Sequence, residues 1–185
     1  QYADWYLQND PKDVYHDDMN NVYSAVALAG LALKHGAQDA KADAYLAAAD
    51  AKWKQTIFPA LAHVGDWWHE GMVYVQPSVG LLAVYLMAWS TATDEDLYAY
   101  VAKSANDLAA GYLRMHAYAL RPDWRYVYFG DTSDPKQSIE LHSRWLVDML
   151  NVGPQSGLGQ ALSVAIREHS QPYYDYAGAE GWLMT

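Results

Sequence analysis

Apolar residues in this chain recur at intervals of three and four positions, the spacing that places side chains on one face of an α-helix. The longest series follows Thr93 and Asp94, either of which could cap its helix. Its members are Leu97, Val101, Ala105, Leu108, Tyr112, Met115 and Ala119. Only Val73–Val75 and Tyr126–Phe129 have a β-like composition, and both runs are short. The pattern therefore predicts an all-α fold.

The same periodicity predicts helices joined by short loops, an arrangement typical of antiparallel helical hairpins. The predicted spans are 19–33, 39–62, 81–89, 97–119, 135–151 and 155–170. Asp17 or Asp18 would cap the first helix, Pro59 would bend or end the second early, and Pro77 lies near the start of the third. A closed (α/α) toroid needs about twice as many helices. We therefore expect a single domain over 1–185 that is an incomplete toroid or solenoid from a longer chain with further domains. Residues 171–185 are expected to form an irregular aromatic tail.

The charge and composition exclude several classes of protein. The formal net charge of −10 argues against binding to nucleic acid or to anionic membranes. With 52% hydrophobic residues the chain can offset its ordering entropy, and no apolar run approaches the roughly 18–20 residues of a membrane span. The absence of cysteine excludes disulfides and thiolate metal sites. The chain has 16 Tyr and 8 Trp but only 2 Phe, a bias towards rings with a polar group that favours sugar binding.

Chemistry-bearing side chains are concentrated in the loop that follows the second predicted helix. The loop and the residues after it contain Asp66, Trp67, Trp68, His69, Glu70 and Tyr74. Binding and catalytic groups commonly lie on such loops. His69 and Glu70 do not form an HExxH zinc motif, because Val73 occupies the second histidine position. Trp67 and Trp68 could stack on sugars or cover helix ends, and Glu70 could bind substrate or cap the next helix.

Three blocks of this sequence together resemble the heparinase II/III-like polysaccharide lyases. The first is the loop just described, with its Glu-Gly pair before Tyr74. The second runs from His16 to Val22 and resembles the Asn-containing helix start of that family, although Val22 stands where His or Trp is common. The third, from Tyr128 to Asp134, resembles its Phe-Gly-Asp loop. The similarity extends from about Tyr15 to Ala165, and the β-sandwich domain of the family has no counterpart here.

The resemblance implies β-elimination on a polysaccharide that contains uronic acid. An amide would neutralise the uronate carboxylate, and a Tyr or His would move the C5 proton. By motif position, Asn20 or Asn21 would bind the carboxylate and Tyr74 would be the base or acid. His69 and Glu70 would orient these groups or bind hydroxyls, with His16 beside them. No cofactor is expected, nor is a metal, because the spacing of His16, Asp17 and Asp18 is common by chance.

A basic and aromatic cluster is a second candidate surface for an acidic polysaccharide or oligosaccharide. It consists of Arg114, His116, Arg121, Trp124, Arg125, Tyr126 and Tyr128. Of these, Trp124, Arg125 and Tyr128 are the predicted substrate-binding residues. The arginines could instead be solvated or pair with Asp123 and Asp131, and His142 is expected to be a packing residue.

Two other functions remain open from the sequence. A toroid glycoside hydrolase would use carboxylates such as Asp66, Glu70 or Asp131 as acid and base. A non-catalytic carbohydrate-binding or structural array would bind without turnover. For the lyase we expect a bacterial protein that is secreted or periplasmic.

Overall fold

The computed structural model describes residues 1–65, 70–104, 108–127, 129–130 and 157–169, and these residues form an all-α fold. The helices are α1 (Tyr2–Gln8), α2 (Asp17–Leu33), α3 (Asp39–Lys52), α4 (Phe58–Val64), α5 (Met72–Ala92), α6 (Leu97–Ser104), α7 (Leu108–Ala119) and α8 (Gly157–His169), with a π-helical turn at Trp53–Ile57. Within these ranges the β-structure is limited to one antiparallel bridge between Leu120 and Tyr126. None of the described helices combines the length and apolarity needed to cross a bilayer.

Helix α2 is central because it packs against both α3 and α5. Helix α2 approaches α3 closely at Gly30, where an added Cβ would lie 2.8 Å from the Leu46 side chain and 3.2 Å from its backbone nitrogen. The short link between α2 and α3 makes them an antiparallel hairpin. The hydrophobic core runs from Met19 on α2 through Trp53 and Tyr85 to Met115 on α7.

Proline did not end the second predicted helix. The Phe58 N–H donates to the Trp53 carbonyl oxygen five residues back, which inserts a π-turn just before Pro59. Such a turn accommodates the proline, which cannot donate a backbone hydrogen bond. Helical backbone therefore continues from Asp39 to Val64.

Two helix starts differ from the sequence prediction. Helix α5 begins at Met72, so Pro77 lies inside the helix and Val73–Val75 is helical rather than β-like. Met72 is fully buried and Tyr74 packs on the core, and this packing offsets the hydrogen bond that Pro77 cannot make. Helix α6 is capped by Asp96, whose Oδ1 accepts from Ala99 N–H at 3.0 Å. Thr93 instead ends α5, where its hydroxyl donates to the Trp89 carbonyl oxygen.

Helix α1 was not predicted, and two carboxylates attach the N-terminal segment to the core. Asp4 accepts from Lys41 Nζ and from the Tyr45 hydroxyl, both at 2.6 Å. Asp10 accepts from the Tyr23 hydroxyl at 2.5 Å and from Lys52. The predicted helix 155–170 is confirmed in outline by α8. The predicted helix 135–151 and the tail 171–185 lie outside the described residues.

Candidate functional site

Two glycines lie at the ends of the candidate loop between α4 and α5. Gly65 ends α4 with a φ of 73° and Gly71 precedes α5 with a φ of 93°, and both values suit glycine better than any other residue. Both ends of the loop therefore have backbone conformations that residues other than glycine rarely adopt. Asp66, Trp67, Trp68 and His69 lie outside the described residues, so their predicted roles remain predictions.

Glu70 joins this loop to the start of α2. Its Oε2 accepts a hydrogen bond of 3.0 Å from the backbone N–H of Asp17, the first residue of α2. The Glu70 side chain is only 11% exposed. A carboxylate at a helix N-terminus is stabilised by unpaired N–H groups and by the helix dipole. Glu70 therefore caps α2, which lies far before it in sequence, rather than the helix that follows it.

His16 is the N-cap of α2, a position that the sequence assigned to Asp17 or Asp18. Its Nδ1 accepts from the Asp18 N–H at 3.2 Å, and both aspartates lie in the first helical turn. The capping geometry needs a residue with extended backbone just before the helix, and His16 has that backbone. His16 Nε2 lies 3.9 Å from Glu70 Oε1. Three predicted site residues, His16, Glu70 and Asn21, thus surround one helix end.

Asp17 and His16 are in contact at the start of α2, where Asp17 Oδ1 lies 2.9 Å from His16 Nδ1. Burial and the charge of Asp18 raise the pKa of Asp17, while His16 opposes this shift. One ligand atom each from His16, Asp17 and Asp18 lie within 4.8 Å of one another, so among the described residues these three are the group that could hold a metal ion. Exposed acidic groups gather in this way without a metal as well.

A stripe of polar residues is buried along α2 below this helix end. Asp17, Asn20, Asn21 and Ser24 follow the i, i+3, i+4, i+7 spacing of one helix face. Asn20 is 1% exposed, and within the described part of the chain neither its amide nitrogen nor its amide oxygen has a hydrogen-bond partner. Asn21 Nδ2 makes a long contact of 3.4 Å to Asp17 Oδ2, while the Asn21 side-chain oxygen and the Ser24 hydroxyl have no partner among the same residues. Buried polar atoms without partners are rare, so each of them calls for an explanation such as a ligand.

Tyr74 lies in the first turn of α5, four residues after Glu70. It is half-buried and packs against the hydrophobic core. Its backbone N–H donates to the Gly71 carbonyl oxygen, and its hydroxyl has no hydrogen bond to any residue that the structure describes. Packing of the ring on the core thus positions the Tyr74 side chain.

The basic and aromatic cluster divides into a buried and an exposed part. His116 and Tyr126 are each 2% exposed, with ring centroids 5.9 Å apart, so they belong to the core rather than to a binding surface. Burial lowers the pKa of His116 to about 4, although the hydrogen bond to the Tyr112 carbonyl oxygen opposes this. Arg121 pairs with Asp123 at 2.8 Å, which agrees with the alternative that the arginines pair with neighbouring aspartates.

The exposed part of the cluster is Trp124 and Arg125. Trp124 is 37% exposed and Arg125 is exposed. The Trp124 indole stacks on the His169 imidazole, a neighbour that no sequence motif indicated. Tyr128 lies outside the described residues, as do Asp131 and His142.

Sequence reasoning missed the burial of two members of the α2 stripe, Asp17 and Ser24. The spacing of polar residues along a helix otherwise rich in Ala and Val was a signal that could have identified them. His169 could not have been found in this way, because its contact with Trp124 joins segments distant in sequence.

No protein-family model matches this chain, and comparisons with curated proteins and with solved structures find no significant similarity. The resemblance to polysaccharide lyases therefore rests on the motifs of this sequence alone.

Proposed function

We propose that this chain is the helical part of a polysaccharide lyase that cleaves uronic-acid-containing polysaccharide by β-elimination. The observation that carries the proposal is the buried stripe on α2, whose unpartnered Asn20 amide lies one turn below the Glu70-capped helix end. An amide left without partners offers the hydrogen bonds that a uronate carboxylate would accept. In this proposal the helices form part of an incomplete (α/α) toroid.

The proposed chemistry assigns a role to each described site residue. Asn20 or Asn21 hydrogen-bonds the uronate carboxylate, which makes the C5 proton more acidic. Tyr74 transfers a proton at C5 or at the leaving oxygen, and its uncommitted hydroxyl suits this role. A free phenol has a pKa of about 10, so a donor or a positive charge must stabilise the phenolate. His69 is the proposed source, with Trp67 and Trp68 stacking on neighbouring sugars.

Glu70 and His16 are positioning residues in this proposal. Because Glu70 Oε2 is committed to the Asp17 N–H, it ties the residue just before Gly71 to the α2 helix end. This commitment counts against Glu70 as the acid or base of a glycoside hydrolase, whose carboxylates must face the scissile bond. A polymeric substrate is encountered outside the cytoplasm, so the proposal includes a secreted or periplasmic location and further domains in the same chain.

Replacing Tyr74 by Phe tests the proposal directly. The full chain that contains these residues is incubated with alginate, hyaluronan and heparan sulfate, and the ultraviolet absorbance of the unsaturated uronate product is followed. Tyr74→Phe removes one oxygen that has no described partner, so the melting temperature should stay within about 1 °C. Turnover should fall by about 10²–10⁴-fold, the usual contribution of general acid–base catalysis.

Tyr2→Phe is the matched control, because Tyr2 is 87% exposed on α1 and lies outside the proposed site. It should leave turnover unchanged. A loss below tenfold for Tyr74→Phe, or turnover that yields only saturated products, contradicts the proposal. Saturated products would favour the hydrolase instead.

A further inference from the structure

The turn that carries Trp124 is held tightly on both sides. Arg121 N–H donates to the Arg125 carbonyl oxygen at 2.8 Å, and Trp124 N–H donates to the Arg121 carbonyl oxygen at 3.0 Å. Trp124 itself has a φ of 62°, a left-handed conformation that is uncommon for a bulky residue. Backbone in this region costs of order 1–3 kcal/mol and is found most often at functional sites. The turn therefore fixes the direction of the indole at an energetic cost.

The indole ring lies flat on the imidazole of His169. Their ring centroids are 4.0 Å apart and the ring planes differ by 13°. His169 is in the last turn of α8, four residues after Ala165 and seven after Leu162, both of which are buried. It therefore lies on the face of α8 that packs towards α7. Because α8 supports the ring, Trp124 is a rigid surface aromatic even though it stays 37% exposed.

Arg125, the residue after Trp124, is exposed and supplies a positive charge. Asp123, the nearest acidic residue in sequence, accepts from the Arg121 guanidinium at 2.8 Å and from the Arg125 backbone N–H at 3.4 Å. Among the described residues no carboxylate pairs with the Arg125 guanidinium. An exposed arginine directly after a supported aromatic residue is notable in a chain of net charge −10. The fork of an arginine binds a carboxylate through two parallel hydrogen bonds.

We propose that Trp124, supported by His169, and Arg125 form a binding site for one uronate residue of an acidic oligosaccharide. The sugar ring stacks on the exposed part of the indole, and the guanidinium binds the uronate carboxylate. The choice of uronate rests on the proposed function, but binding at this site needs no turnover. The site therefore holds the polymer and takes no part in bond cleavage.

Binding is measured by isothermal titration calorimetry of the full chain with an oligomannuronate hexamer. A cellohexaose of the same length is the neutral comparison. The wild type should bind the hexamannuronate at least tenfold more tightly than cellohexaose. Arg125→Gln should remove most of that preference.

Trp124→Gly removes the ring and suits the left-handed backbone, so the turn should keep its fold. It should weaken hexamannuronate binding at least tenfold. The matched control is Trp5→Ala, which removes an indole that is 55% exposed on α1 and should leave the affinity unchanged.

The outcomes separate this site from the proposed activity. Affinities for Trp124→Gly and Arg125→Gln equal to that of the wild type would overturn the site, whether or not the chain turns over substrate. Loss of binding in both variants supports the site, even if no uronate polymer is cleaved. Hexamannuronate and cellohexaose binding equally to the wild type would also overturn it, because the guanidinium would then contribute nothing.

Discussion

Asn20 illustrates how a residue can lower the stability of the fold and still be useful at a ligand-binding site. Leaving a buried amide without partners costs about 1–3 kcal/mol, and Asn20 has two unpartnered atoms at 1% exposure. Packing alone gives no reason to keep such a side chain on a helix whose other buried positions are mostly apolar. A ligand that supplies the missing hydrogen bonds does give a reason. The sequence motif identified Asn20 as a candidate, but its depth and lack of partners depend on how α2 packs.

Asn20→Ala is therefore expected to keep or raise stability while removing turnover. The change deletes the unpaired amide and improves helix propensity, which together offset the small cavity that remains. Urea unfolding should give a free energy of unfolding equal to that of the wild type or higher by about 1 kcal/mol, whereas most buried substitutions lower it by about that much. Product absorbance should fall at least a hundredfold.

Tyr112→Phe is the control for Asn20→Ala. Its hydroxyl is also buried and unpartnered, but it lies on α7, away from the α2 stripe. It should gain similar stability and keep full turnover. If Asn20→Ala retained turnover, or lost more than about 2 kcal/mol of stability, the amide would be a structural group.

The helices themselves were predicted well where apolar periodicity was strong, and poorly where proline decided the boundary. In the longest predicted apolar series, Leu97, Val101, Tyr112, Met115 and Ala119 are all buried. Pro59 and Pro77 both lie within continuous helical backbone, because a π-turn accommodates the first and core packing offsets the second. Local sequence reports the lost hydrogen bond of a proline but not the tertiary contacts that outweigh it.

Several residues of the candidate site could be identified from the sequence, but their arrangement in space could not. His16, Glu70 and Asn21 were each identified from motifs, and the structure brings them to the start of α2. The capping bond from Asp17 to Glu70 spans two helical elements and has no local signature. His116 was misplaced for the same reason, because its burial depends on Tyr126 folding back over α7.

Gly30→Ala should destabilise the α2–α3 hairpin. Alanine is intrinsically better than glycine in a helix by about 0.5–1 kcal/mol. Here its Cβ would lie 2.8 Å from Leu46 Cγ and 3.2 Å from the Leu46 backbone nitrogen, and overpacking of this kind costs about 1–3 kcal/mol. We expect a net loss of about 1 kcal/mol in urea unfolding.

A double-mutant cycle with Leu46→Ala isolates the clash. Leu46→Ala removes the two side-chain contacts at 2.8 Å and leaves only the 3.2 Å approach to the backbone nitrogen, so Gly30→Ala should cost less in that background than in the wild type. A Gly30→Ala effect that is the same in both backgrounds would mean that the two helices do not meet at this point.

For the whole molecule, titrating groups define a pH range of maximal stability. Hydrogen bonds from Lys41 and Tyr45 hold the pKa of Asp4 below its usual range, and Lys54 and Trp89 outweigh burial to lower the pKa of Glu95. A lowered carboxyl pKa gives stability that is lost as the pH falls below about 4. Asp43 outweighs desolvation and raises the pKa of Lys34, and that stability is lost above about pH 10.5.

His116 determines the pH at which stability begins to fall on the acid side. Its burial lowers its pKa to about 4, so the unfolded chain binds a proton at a pH where the folded chain does not. Stability is therefore lost as the pH falls from about 6.5 towards 4, well before the carboxylates titrate. By linkage, the free energy of unfolding should drop by about 2 kcal/mol between pH 7.5 and pH 5. Urea midpoints at the two pH values measure this drop.

His116→Gln removes the titrating group while its side-chain amide can still donate to the Tyr112 carbonyl oxygen, which His116 Nδ1 approaches to 2.8 Å. Its urea midpoint should change little between pH 7.5 and pH 5. If the variant does not fold, the imidazole signals of the wild type provide an independent measurement by NMR. They should show His116 neutral down to about pH 4, because no water can replace the lost hydration of a charged ring at 2% exposure. A His116 midpoint near 6.5 would place the ring in solvent and contradict the packing of Tyr126 over α7.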